Sequence, residues 1–308
     1  MVERLTESGK IWYNGKFVDW KDATVHVLSH GLHYGSGVFE GIRCYATDKG
    51  SFIFRLKEHV DRMYRSAELY QLEIPYSKAE LTEAIKGTIR INELDACYIR
   101  PIAFYGLHHL GVNPAGCPVD CAIAVWRWGA YLGADALETG IRCTISSWRR
   151  IDPHTLPVTS KATGHYLNSM LAVRDAKERG FDEAIMLDNN GYVAEGPGEN
   201  IFTVINSTLY TPGVESSILP GITRASVIEL ARDMGYEVVE KSITKEELLS
   251  AAEVFFTGTA AEVSPIRAID NVTIGAGKRG EVTGAIQKKF FDVVNAKEAR
   301  YMNWLVRV

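Results

Sequence analysis

Four loops carry residues whose types and spacing could do chemistry. In Pro157-Val158-Thr159-Ser160-Lys161-Ala162-Thr163-Gly164-His165-Tyr166, a lysine stands among small residues just ahead of a helical stretch. A lysine held in a pocket and desolvated there loses part of its preference for the charged form, and its amine becomes a nucleophile. In Leu219-Pro220-Gly221-Ile222-Thr223-Arg224, the chain runs straight into a helix. The Thr223 hydroxyl can cap that helix, and the free N–H groups of its first turn form an anion site. Thr257-Gly258-Thr259-Ala260-Ala261 follows an apolar strand, and its small residues allow a ligand close to the backbone. Tyr192 to Asn200 sets Glu195 and Glu199 beside two glycines. A carboxylate there can pair with a cationic ring nitrogen. Taken singly, each loop has an ordinary role: a solvated lysine, a plain N-cap, a strand-end turn and a charged bulge.

The elements that must position these loops read as follows. Ile11-Trp12-Tyr13 and Lys16-Phe17-Val18 flank Asn14-Gly15, a hairpin turn signal. Strands are expected at Thr24–Leu28, Val38–Tyr45, Ser51–Phe54, Ala96–Tyr105 and Val119–Trp126. Between them, Leu56, Val60, Met63, Tyr64, Ala67 and Tyr70 recur at helical spacing. Ser77 and Glu80 form a capping box that opens a second helix. Past Gly129–Ala134, which reads as a linker, strands are expected at Ile141–Trp148, Asp182–Leu187, Gly191–Glu195, Asn200–Val204 and Val254–Thr257. Helices are expected at Tyr166–Arg179, Thr223–Met234 and Thr283–Tyr301, the first two ending at Gly180 and Gly235. Strands, then helices, then strands give the first half an α+β character.

Composition bounds the partners. The 308 residues suit one large or two ordinary domains, and 46% hydrophobic residues supply a substantial core. A formal charge of −4 gives no electrostatic reason to expect nucleic acid or an anionic membrane. Five cysteines are too few for a disulfide scaffold and suit reduced thiols in a cytoplasm. The polar start Met1–Lys10 lacks the apolar centre of a secretory signal, and no apolar run reaches the roughly 20 residues of a membrane span. A soluble, cytoplasmic protein is the expectation. No metal is expected: Cys117 and Cys121 lack a second ligand pair, and His108-His109 lack a nearby acid in sequence. Gly275–Gly280 lacks the GKS/T ending of a phosphate loop, and no G-x-S-x-G elbow occurs.

Read together, the four loops resemble the branched-chain amino-acid aminotransferases, the fold-type-IV enzymes dependent on pyridoxal 5′-phosphate (PLP). The resemblance runs from Trp12-Tyr13-Asn14-Gly15 to about Phe291. Its most specific pieces are the block from Ser29-His30-Gly31 to Phe39-Glu40-Gly41-Ile42-Arg43, Ser160-Lys161-Ala162, Glu195-Gly196-Pro197-Gly198-Glu199-Asn200, Leu219–Arg224 and Gly258-Thr259-Ala260-Ala261-Glu262. It implies an α+β, two-domain fold: a smaller N-terminal domain over 1–128, a linker over 129–135, and a larger PLP-binding domain with a β-barrel-like core over 136–308. It also implies a homodimer or higher homo-oligomer.

Roles follow from the resemblance, residue by residue. It implies that Lys161 binds PLP through its amine and moves protons between Cα and C4′. Glu195 pairs with the protonated pyridine nitrogen, and Tyr166 hydrogen-bonds the ring O3′. Arg55 anchors the phosphate, with Gly221, Ile222, Thr223 and Thr259 completing the cup. Tyr98, Thr259 and Ala260 bind the α-carboxylate. Arg100 meets the distal carboxylate of glutamate. Phe39, Trp128 and Tyr131 line the apolar side-chain pocket, with Tyr34, Leu110 and Val112 coming from the neighbouring subunit. The implied reaction is transamination of L-leucine, L-isoleucine and L-valine with 2-oxoglutarate, giving 2-oxo acids and L-glutamate. Rival readings are a D-amino-acid or R-amine transaminase, a PLP lyase of the aminodeoxychorismate type, and a PLP-binding protein without turnover. Tyr98-Ile99-Arg100 argues against the first, Glu40–Arg43 with Gly129-Ala130-Tyr131 against the second, and Lys161 against the third. His108-His109 and Pro197 depart from the family's usual residues.

Overall fold

A computed structural model describes residues 9–129 and 135–308. The described chain divides into two compact units. One holds the residues up to Trp128 together with Ser160–Gly164 and Val293–Val308; the other holds Gly129–Thr159 and His165–Asp292. This grouping is not the division by chain order read from the sequence: the Lys161 loop and the C-terminus join the first unit.

The first unit is an antiparallel sheet covered by two helices. Strand order is Leu305–Arg307, Gly50–Phe54, Ile42–Thr47, Cys97–Tyr105, Val119–Trp126, Lys10–Tyr13 and Lys16–Asp19, with Gly37–Phe39 also paired to Cys97–Tyr105. Asn14 and Gly15 both take positive φ, as the hairpin turn requires. The helix Leu56–Leu69 buries Leu56, Val60, Met63 and Ala67 along one stripe, against Val38, Ile42 and Ile53 of the core. The helix Lys78–Ile91 starts at the expected box: the Glu80 N–H donates to Ser77 Oγ at 3.2 Å and the Ser77 N–H to Glu80 Oε2 at 2.7 Å.

The second unit is built on a mixed sheet. Its order is Val193–Glu195, Glu183–Leu187, Ile141–Ile145, Glu262–Ile269, Glu253–Gly258, Asn200–Ile205, Thr208–Thr211 and Val238–Glu240, with Val272–Thr273 at the side of Glu262–Ile269. Ile141–Ile145 runs parallel to both of its neighbours. Phe202 and Phe255, both fully buried, stack at 5.1 Å in the middle of the sheet. The helices Tyr166–Glu178 and Ile222–Asp233 end before Gly180 and Gly235, which take φ of +80° and +87°.

Three sequence expectations fail locally. Thr24–Leu28 forms no strand; the alternation is there but no partner pairs with it, and Val25, Val27 and Leu28 stay exposed. Val38–Tyr45 is broken at Glu40-Gly41 into Gly37–Phe39 and Ile42–Thr47. The last helix is Glu281–Val294 only: Ala296 takes φ +57°, then a 3-10 turn over Ala299–Trp304 leads into the strand Leu305–Arg307. Among the described residues no helix is long and apolar enough to cross a membrane.

Candidate active site

Lys161 is held by its backbone. Its N–H donates to Ser66 Oγ at 2.9 Å, and its carbonyl accepts the Phe39 N–H at 3.1 Å. An isolated bridge between Val38 and Ala162 continues the same edge. The Nζ lies 5.1 Å from the centroid of the Phe39 ring. Thr163 Oγ1 lies within hydrogen-bond reach of the carbonyls of Gly35 and Gly37, so the loop is tied to the Gly37–Phe39 strand at the lysine and just after it. The helix Leu56–Leu69 supplies Ser66, and two more buried polar residues precede it on the same face, His59 and Arg62.

Those residues meet Glu40, which is fully buried. Arg62 Nε and Nη2 donate to the two Glu40 oxygens at 2.7 and 2.8 Å, and His59 Nδ1 lies 2.7 Å from Oε2. Burial alone raises the Glu40 pKa, but the Arg62 and His59 charges and hydrogen bonds outweigh it and hold the carboxyl well below its usual range. Sequence reading passed over this cluster. Its signal was polar residues at His59, Arg62 and Ser66, on the stripe that the helix buries.

Beside Glu40, the strand Cys97–Tyr105 presents Tyr98 and Arg100. Tyr98 is 5% exposed, with Trp126 at 5.1 Å and Trp128 at 4.5 Å between ring centroids. The Arg100 guanidinium lies 4.8 Å from the Phe39 ring, 5.3 Å from Tyr98 and 5.8 Å from Trp126, and Nη2 donates to Tyr98 Oη at 3.3 Å. Arg100 Nε is buried without a hydrogen-bond partner. Among the described residues no carboxylate pairs with Arg100. A solvated or ion-paired arginine has neither feature; a cationic group inside an aromatic wall suits a ligand that brings its own carboxylate.

Gly41 makes this arrangement possible. A Cβ there would lie 2.0 Å from Tyr98 Oη, and Tyr98 is too tightly packed between the two tryptophans to swing aside. Gly41→Ala is expected to cost about 1–3 kcal/mol of stability through overpacking. Chemical denaturation checks this; an unchanged midpoint at constant slope would contradict it.

Trp128 completes the aromatic wall beside Tyr98. Trp128 is half-buried, and its carbonyl accepts from Arg43 Nη2 at 3.3 Å. Tyr34, Leu110 and Val112 are exposed on this chain, Val112 at 84%. Tyr131 lies outside the described residues. Of the two histidines that depart from the family, His109 Nε2 contacts the Asn113 carbonyl at 3.1 Å and thereby braces its own loop. Arg55 Nη1 pairs with Glu58 at 2.8 Å, and the guanidinium stacks 3.6 Å from the Trp304 ring centroid.

In the second unit the centre is Glu195. Its side chain is buried and paired with Arg150 at 2.8 Å, and it accepts from Asn200 Nδ2 at 3.0 Å and the Leu219 N–H at 3.2 Å. Asn200 Nδ2 also donates to the Leu219 carbonyl at 2.9 Å. One amide therefore ties the carboxylate to the turn that starts the helix Ile222–Asp233. A Cβ on Gly221 would lie 1.9 Å from Asn200 Oδ1, so only glycine fits there. That glycine, not Thr223, is the N-cap, and it has no side chain to bond the first turn. Thr223 is buried inside the first turn, so the expected hydroxyl cap is corrected. The N–H groups at the helix start consequently have no capping side chain, which leaves them for an anion.

The strands carry the rest. Asn200 pairs in register with Thr257, whose hydroxyl is buried without a hydrogen-bond partner. The turn after that strand carries Thr259 and Ala260, both half-buried. Tyr166 opens the helix Tyr166–Glu178 and is half-buried. A group with a cationic ring nitrogen and a phosphate fits this donor set. The buried Glu195 carboxylate suits the cation and the uncapped helix start suits the anion. Arg150, which holds Glu195 in place, was absent from the sequence reading, and Asn200 appeared there only as part of the loop, without this role.

The expected residues thus fall into two sets, Phe39, Arg55, Tyr98, Arg100, Trp128 and Lys161 in the first unit and Tyr166, Glu195, Gly221, Ile222, Thr223, Thr259 and Ala260 in the second. Comparison with known proteins agrees with the resemblance. The profile of the class IV amino-transferases matches residues 37–269. The chain is 49% identical over 296 residues to a Pseudomonas aeruginosa branched-chain-amino-acid aminotransferase, covering 96% of each chain. The crystal structure of the Escherichia coli branched-chain amino acid aminotransferase superposes with a TM-score of 0.96 at 48% identity, covering 98% of this chain and 99% of that one. The T.th. branched-chain amino acid aminotransferase complexed with N-(5′-phosphopyridoxyl)-L-glutamate gives a TM-score of 0.94 at 47% identity, covering 97% of this chain and 98% of that one. The α+β, two-domain fold-type-IV architecture expected from the sequence is the one these structures share. The chain belongs to the branched-chain-amino-acid aminotransferase family of class IV aminotransferases.

Proposed function

We propose that this aminotransferase takes the amino group of L-leucine, L-isoleucine or L-valine and passes it to 2-oxoglutarate, with PLP as its cofactor. The relative captured with a phosphopyridoxyl-glutamate adduct supports both glutamate as a partner and the cofactor class. Pyridoxal phosphate, when bound, supplies an electron sink that lets the Cα–H bond of an amino acid ionise. This chain supplies the rest. Lys161 attaches the cofactor through its amine and carries the proton between Cα and C4′. Glu195, kept in place by Arg150 and Asn200, faces the ring nitrogen and favours its protonated form. Tyr166 donates to O3′. Gly221, Ile222, Thr223 and Thr259, with Arg55, hold the phosphate. Tyr98, Thr259 and Ala260 orient the α-carboxylate. Phe39, Trp128 and Tyr131 exclude water around the side chain, with Tyr34, Leu110 and Val112 contributed by a second subunit of a homodimer or larger homo-oligomer.

One pocket must take both a branched aliphatic chain and a carboxylate. The observation that carries this reading is Arg100, a cation among aromatic rings with no acidic partner among the described residues. Its rings serve leucine and its guanidinium serves glutamate. Arg100→Leu is expected to weaken the glutamate half-reaction by about ten- to a hundredfold, the worth of a charge-assisted hydrogen bond, and largely to spare the leucine one. Single-turnover absorbance of the cofactor with each amino acid separates them. Equal losses for both would assign Arg100 a structural role and overturn the account of dual recognition.

A further inference from the structure

The second unit has a cationic cavity that the transamination site does not use. It is about 520 Å³ in volume, and Ser146, Ser147, Arg149, Arg179, Lys245 and Asp270 line it. Its position follows from the sheet. Ile145 and Leu187, which end two adjacent parallel strands, also line it, and Asp270 follows the end of a third, Glu262–Ile269. The cavity therefore opens at the carboxyl ends of three parallel strands, the place where open parallel sheets receive ligands.

Its charges do not cancel. Asp270 pairs with Arg179 at 3.2 Å, and Asp175 pairs with the same arginine at 3.5 Å. Ser146 Oγ and the Ser147 N–H also donate to Asp175. Arg149 donates only to the Asp188 carbonyl, at 3.4 Å, and neither it nor Lys245 has a carboxylate partner among the described residues. Arg149 and Lys245 thus share one surface with Arg179, and against Asp175 and Asp270 the three cations leave one surplus positive charge. Like charges brought together without a counter-ion repel each other, and a bound anion relieves this.

We propose that this cavity is a binding site for a phosphate group, carried by inorganic phosphate or by a phosphate monoester. The surplus positive charge favours an anion, and an arginine fork matches a pair of phosphate oxygens better than a single carboxylate oxygen. The site also has a route to the chemistry. Arg149 is the chain neighbour of Arg150, whose side chain holds Glu195 at 2.8 Å and whose N–H donates to the Leu187 carbonyl at 2.8 Å. An anion on Arg149 therefore bears on the segment that carries the partner of Glu195.

The test is calorimetric titration of the PLP-loaded enzyme, in phosphate-free buffer, with inorganic phosphate in one arm and glycerol 3-phosphate in the other. The expected result is saturable binding that weakens about tenfold or more in Lys245→Gln and likewise in Arg149→Gln. Tighter binding of the free ion or of the ester identifies which source the site prefers, and both support the proposal. Absence of binding in the millimolar range, or binding unchanged in either variant, overturns it. The two variants keep phosphate held at the substrate site from counting as support, because neither residue belongs to that site.

Discussion

Lys161→Ala is expected to remove almost all turnover. The lysine has two roles in the proposal, attaching the cofactor and carrying the proton, and positioned acid–base chemistry alone is worth about 10²–10⁴ in rate. Its backbone is tied into the first unit: the N–H donates to Ser66 and the carbonyl accepts from Phe39. Truncation of the side chain leaves both in place, so the variant should fold and its defect should be chemical. Borohydride reduction of the wild-type holoenzyme followed by peptide mapping should find the pyridoxyl label on Lys161. A label on Lys177 would overturn the assignment; that side chain is already engaged with the Asp182 carbonyl.

The second large effect concerns Glu195. Glu195→Gln keeps the size of the side chain and removes the charge that, in the proposed function, favours a protonated ring nitrogen. Loss of one preorganised electrostatic group costs about 10²–10³ in kcat, and PLP should still bind through its phosphate and Lys161. The structure adds a second consequence. Arg150 loses its carboxylate inside a buried site, a change that costs about 3–5 kcal/mol of stability in comparable buried pairs. Glu195→Asp separates the two effects, because it retains the charge while shortening the reach. A folded Glu195→Gln enzyme with near-wild-type kcat would mean that the ring nitrogen is met by another group.

How much of this was legible before the structure depends on whether a residue's partners lie near it in the chain. The Lys161 loop, the Glu195 loop and the start of the helix at Ile222 are short motifs, and each stood out as a group of residue types. The Ser77–Glu80 box and the Asn14-Gly15 turn are local in the same way, and they form as expected. The groups that hold the site together are not local. Arg150 and Glu195 meet across the sheet, Asn200 bridges to Leu219, and Glu40 takes His59 and Arg62 from the buried face of the helix Leu56–Leu69. Nothing in a one-dimensional pattern joins such residues.

The fold errors have the same origin. Thr24–Leu28 has the alternation of a strand but no neighbour to complete its hydrogen bonds. Thr208–Thr211 and Val238–Glu240 went unread because each is short; the first gains its place beside Asn200–Ile205 and the second by pairing with it at the edge of the sheet. The last helix read too long because Ala296, a good helix former, gives no warning of its positive φ. There the chain leaves the helix to bring Leu305–Arg307 beside Gly50–Phe54, a tertiary pairing that overrides local preference.

The central claim, transamination of branched-chain L-amino acids with 2-oxoglutarate, is tested most directly by a donor panel. The PLP-loaded enzyme is given 2-oxoglutarate with L-leucine, L-isoleucine, L-valine, D-alanine or R-1-phenylethylamine, and L-glutamate formation is measured. The account predicts glutamate from the three branched-chain L-amino acids, at rates well above those from the other two donors. Faster formation from D-alanine or from the R-amine, with little from L-leucine, would contradict it and assign the chain to a different branch of the same fold.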